Sequence, residues 1–165
     1  MSTPIDTGKV ARRPLRFGAV ADAKREIEKI RAAYAVGRLK TKGNWTPAQV
    51  LNHLAAFIEY AYVGYPPALA KPPWMIRFIL KFMKSRYLYK SMPVGVRIPG
   101  VPGGTLGAEE GDFARADARL VAALTRLERE APVGPNPVFG PLTHAEWTNL
   151  HLRHCELHLA FLDPA

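Results

Sequence analysis

Near the C-terminus stand two histidines four residues apart, in the string His154-Cys155-Glu156-Leu157-His158. On a helix that spacing puts both imidazoles on one face, a turn apart, within reach of one metal ion. A third histidine, His53, lies three residues after Val50 and four before Phe57, which sets it on the apolar side of another helical run. Three imidazoles with open coordination positions are a catalytic ligand set for zinc and other first-row metals. The competing reading treats each histidine as a hydrogen-bonded core residue, the commoner role for a single histidine on an apolar face. Burying two adjacent imidazoles is costly unless something organises both, which favours the ion. His151 stands one turn before His154 and is either an alternative ligand in place of His158 or a neighbour of the ion. His144 opens the last helix and is expected on the surface. The catalytic and substrate-binding residues beyond these are not assigned by the sequence.

Other metal and catalytic patterns fail. Glu156 follows the first histidine by two residues, on the opposite side of the helix, so the string is not the metalloprotease pattern His-Glu-x-x-His. Cys155 is rotated about 100° from His154 and is poorly placed for the same ion. There is no paired-cysteine zinc motif, P-loop, dinucleotide fingerprint or nucleophile elbow.

The elements that must carry these residues read as helices. Val20, Ala23, Ile27, Ile30 and Tyr34 form the stripe of a first helix over about Ala19 to Val36. Lys40 to Asn44 reads as a polar turn. Thr46-Pro47-Ala48-Gln49 is a capping box with proline at the first helical position, opening a second helix to about Tyr62. Pro72-Pro73 precedes a third, Trp74 to Tyr87, with Trp74, Phe78, Ile79, Phe82 and Met83 as its apolar face. Lys90 to Thr105 carries three prolines and four glycines. It reads as a long loop across one end of the fold, beside the site. A fourth helix is expected from Glu109 to Ala131, and a fifth from Thr143, boxed by Glu146, to Leu162. The expected architecture is all-α: a basic arm over 1–17, then one domain over 18–165 built as a four-helix bundle with an extra short helix and a long loop.

Composition bounds the rest. The 165 residues suffice for one core, and a hydrophobic content of 48% is globular. No apolar run approaches the roughly 20 residues of a membrane span. The polar start and the single cysteine point to a reducing, cytoplasmic setting. The net charge is +9, and no acid occurs between Glu59 and Glu109 against seven bases from Lys71 to Arg97. Such a surface can attract an anionic small molecule, nucleic acid or anionic lipid, the last two being the less favoured partners, but a solvated basic face of a high-pI protein is the commoner meaning of such charge and the favoured reading.

The run Asn44-Trp45-Thr46-Pro47-Ala48-Gln49-Val50-Leu51-Asn52-His53-Leu54-Ala55 resembles the second-helix signature of the DinB-like (DinB/YfiT) superfamily. The stretch Pro137 to Trp147, followed by His154 and His158, resembles the C-terminal half of one branch of uncharacterised function. The resemblance implies a four-helix bundle and a nickel, zinc or iron ion held by His53, His154 and His158. It also implies dimers and, by analogy with characterised relatives, a metal-dependent transferase working with a low-molecular-weight thiol. Leu157 and Phe161 depart from that branch, where histidine and glutamine are common. The alternative function is a non-catalytic helical binding module whose histidines are structural.

Overall fold

A computed structural model describes residues 5–69, 75, 78, 81–97, 101 and 104–165. Among these the chain is mostly helical. In chain order it forms α1 (Val20–Ala35), β1 (Lys40–Thr41), α2 (Pro47–Val63), a 3-10 turn (Pro67–Leu69), α3 (Lys84–Tyr89), α4 (Phe113–Arg129), α5 (His144–Leu159) and β2 (Leu162–Asp163). Both α1 and α2 pack on α4 and α5, and α3 packs on α5.

The caps that carry the site form as the sequence dictates. Thr46 Oγ1 accepts from Gln49 N at 3.3 Å, and Gln49 Oε1 accepts from Thr46 N at 2.9 Å. Thr143 and Glu146 make the same reciprocal pair at 3.2 and 2.9 Å. Each box satisfies amide donors that a helix start otherwise leaves unpaired. Gly64, at φ 99°, lets the chain leave α2.

Four expectations change. The fourth helix begins at Phe113 rather than Glu109, because the Asp112 carboxylate, not Glu109, caps it by accepting from Arg115 N at 2.9 Å. The last helix stops at Leu159, and Leu162–Asp163 turns out to pair antiparallel with Lys40–Thr41, so the expected polar turn is half a ribbon. His144 is half-buried rather than on the surface, and its Nε2–H donates to the Leu127 carbonyl at 2.6 Å. In the third helical run Phe78 and Phe82 are 60% and 75% exposed, not buried, while Trp74 and Ile79 lie outside the described residues. An apolar stripe fixes which residues share a face; what that face meets depends on the neighbours.

The core is continuous. Ile27 and Ile30 of α1, Leu51, Leu54 and Ile58 of α2, Leu120, Leu124 and Leu127 of α4 and Leu152 and Leu159 of α5 are all fully enclosed. Truncating such a leucine to alanine costs roughly 2–5 kcal/mol. The described part of the arm is tied to this body. Arg13 pairs with Glu26 at 2.6 Å, and the buried Phe17 donates its N–H to Glu156 Oε1 at 2.5 Å. Among the described residues no helix is long and apolar enough to cross a membrane.

Candidate metal centre

The three histidines that spacing singled out converge. Ligand nitrogens of His53, from α2, and His154 and His158, from α5, lie within 4.8 Å of one another. The Nε2 atoms of His53 and His154 are 3.1 Å apart. Two nitrogens each about 2.05 Å from one ion stand about 3.3 Å apart at a tetrahedral angle and about 2.9 Å apart at a right angle. The observed separation of this pair falls between those limits, and the three histidines together are close enough to hold a metal ion.

Protonation suits the same role. His53 Nδ1 lies 2.7 Å from the Leu106 carbonyl, which can only accept, so Nδ1 carries the hydrogen and Nε2 presents its lone pair to the cluster. Burial lowers the His53 pKa to about 4. Burial, joined by the mutual repulsion of the imidazoles, holds His154 well below the ordinary histidine value. His158 is also held well below it, by burial first and then by His53 and the Arg12 charge. Three neutral imidazoles at neutral pH are ready ligands.

The rings are locked by packing. Trp45, the residue before the α2 cap, stacks on His158 at 5.3 Å between centroids and 10° between planes. Phe57 abuts both His53 and His154, at 4.6 and 5.0 Å. The loop that supplies the Leu106 carbonyl is clamped to α2 by Gly107. At φ +74° a Cβ there would stand 2.6 Å from Ala56 Cβ, a contact no side chain tolerates.

The cluster opens on a pocket of about 550 Å³ with mainly apolar walls. His53 is buried at 3% exposure, whereas His154 and His158 keep part of their surface toward that space. Loop residues 92–97 line one wall, which puts the long loop at the site. His151 also lines the pocket but does not belong to the three-nitrogen cluster. Glu156 is turned away and pairs with Arg153 at 2.7 Å. Cys155 is buried among apolar side chains, which pushes its thiol up to about 12. Neither can serve the cluster.

A family model matches residues 9–165. The chain belongs to the family described as Protein of unknown function (DUF1569). This finding corrects the DinB-like resemblance, because no DinB-like family matches. The physical reason is that a boxed helix start, an inward histidine and an i, i+4 histidine pair are what any helical three-histidine site needs, so they do not by themselves mark one family. No curated protein and no solved structure matches the chain.

Sequence reading missed several members of this site. Leu106 contributes a backbone carbonyl, which no side-chain pattern reveals. Gly107 could have been noticed as the last glycine of Gly103-Gly104-Thr105-Leu106-Gly107. Trp45 was visible as part of the helix start, but its stacking on His158 depends on how α2 meets α5.

Proposed function

We propose that this protein is a divalent-metal-dependent enzyme whose ion is held by His53, His154 and His158 at the floor of the apolar pocket. The four long helices act as a bundle that fixes the three ligands. The observation that carries the reading is the 3.1 Å approach of two neutral imidazole Nε2 atoms, one of them oriented from behind by the Leu106 carbonyl. A hydrogen-bonded core pair explains the contact between two rings; it does not explain a third neutral imidazole turned to the same point.

Bound there, a divalent ion supplies Lewis acidity that makes water or a low-molecular-weight thiol nucleophilic near neutral pH. The protein's own residues do the remainder. Leu106 fixes the His53 tautomer, Trp45 and Phe57 hold the rings and exclude water, and the apolar walls admit a second reactant. The reaction class this supports is transfer of a small nucleophile to an apolar substrate.

Elemental analysis of untagged protein tests the centre. One equivalent of nickel, zinc or iron is expected, either as purified or after reconstitution. His53→Ala, His154→Ala and His158→Ala should each abolish it. Folded protein that takes up none of these metals, manganese included, would refute the reading.

A further inference from the structure

Two phenylalanines stand where the fold does not cover them. Phe78 and Phe82, a turn apart in the helical run before α3, are 60% and 75% exposed. Their rings meet edge to face at 5.0 Å between centroids. Met75, three residues earlier and 59% exposed, continues the stripe. Single exposed apolar side chains are ordinary, whereas a contiguous row of them marks a contact surface. The pocket does not explain the row, since none of the three residues lines the cavity. Nor is it the side by which this part of the chain joins the body. That side is made by Leu88, 1% exposed, and by Lys84, which pairs with Glu146 at 2.7 Å.

Charge narrows what covers it. Lys81, next in sequence to Phe82, is exposed, as are Arg86 on α3 and Lys90 just after it. No acid occurs in the chain between Glu59 and Glu109. A second copy of this chain is a poor occupant, because a twofold contact would set these bases against themselves. Nucleic acid would meet the bases, but its phosphates would leave Met75 and the phenylalanines in water. An anionic bilayer meets both kinds of group. Apolar side chains enter the boundary between headgroups and acyl chains, while lysine and arginine stay with the lipid phosphates. The charge taken alone reads as a solvated face; the exposed aromatic pair within it changes that reading.

We propose that the face bearing Met75, Phe78 and Phe82, with the basic residues Lys81, Arg86 and Lys90, is the surface by which this protein lies on an anionic membrane. The helical run rests on the bilayer and does not cross it. Leu69 before it and Tyr87 after it both line the pocket, so the membrane-binding stretch begins and ends at the pocket wall. Nothing in this surface depends on the ion.

The test is co-sedimentation of the full, untagged chain with vesicles of phosphatidylcholine alone or mixed with phosphatidylglycerol. The protein should pellet with the mixed vesicles and not with phosphatidylcholine, and raising the salt should weaken the binding. Replacing both aromatics, Phe78→Ser with Phe82→Ser, should weaken it about tenfold or more. Lys81→Gln and Lys90→Gln should each weaken it about fivefold. All these side chains are exposed, so the variants should melt with the wild type. Phe82→Trp should keep the binding, and its indole emission should shift to the blue on mixed vesicles beyond any change in the wild type. If the double serine variant fails to fold, that emission decides: a blue shift supports the proposal and an unchanged spectrum overturns it. Failure to pellet, equal pelleting with both lipids, or binding that none of the variants weakens would overturn it as well. So would a wild-type dimer that the serine variant makes monomeric, which would give the face to a second copy. Tighter binding of a DNA duplex at the same salt, lost in the lysine variants, would give it to nucleic acid instead.

Discussion

Gly107→Ala tests how the loop holds the histidine cluster. Two costs act at that position. A non-glycine residue in the left-handed region costs roughly 1–2 kcal/mol. In addition the new Cβ would meet Ala56 Cβ at 2.6 Å, with the His53 Cα and carbonyl oxygen 3.6 and 3.8 Å away. The clashing atom, Ala56 Cβ, is not the end of a flexible chain, so the loop must lift from α2, and forced overpacking of this kind costs about 1–3 kcal/mol more. Gly37 gives the control. It sits at φ +68° with nothing within 4 Å of a built Cβ, so Gly37→Ala carries the backbone cost alone. Urea denaturation of metal-free protein should therefore find Gly107→Ala about 1–3 kcal/mol less stable than Gly37→Ala. Lifting the loop also takes the Leu106 carbonyl from His53 Nδ1, and loss of such a supporting bond typically costs 10–100-fold in metal affinity. Competition with a chromophoric chelator should show that loss in Gly107→Ala and not in Gly37→Ala. If the two variants match in stability and in metal affinity, the clamp and the orientation of His53 that depends on it are refuted.

Metal-free protein should lose stability as the pH falls from about 6.5 toward 4. Burial lowers His53 and His151 from 6.5 to about 4, so below 6.5 the unfolded chain binds protons that the folded one refuses. The contribution is complete above the unfolded value and is lost toward the folded one, at most about 3 kcal/mol for each of the two. Urea melts at pH 7.5, 6 and 5 should show it, and His151→Phe should flatten the slope; an unchanged slope would contradict the buried neutral ring. Cys155 should resist a thiol reagent in native protein at pH 8 and react once in denaturant, since its thiol is buried and pushed up to about 12. Rapid native labelling would show α5 opening there. Thr46→Ala should cost about 1 kcal/mol by removing the α2 cap, read from the urea midpoint.

Much of this protein is settled by local rules. The two capping boxes fix where α2 and α5 begin, and with them the angular positions of His53, His154 and His158 on their helices, because helix periodicity depends only on residue spacing. The same spacing turns Glu156 and Cys155 away from the cluster. Contacts between distant segments decide the rest. The 3.1 Å meeting of His53 and His154 joins residues 101 positions apart, and the Leu106 carbonyl reaches His53 from a loop 53 positions on. Phe78 and Phe82 form the stripe their spacing implies, yet they face outward. His151 shares its helix with two proposed ligands, and nothing in its spacing separates it from them; the packing on Trp147 and the wall of the pocket do. A sequence specifies which side of a helix is apolar and which side chains share it. Only the assembled structure decides what that side meets, since that follows from the summed packing of elements far apart in the chain.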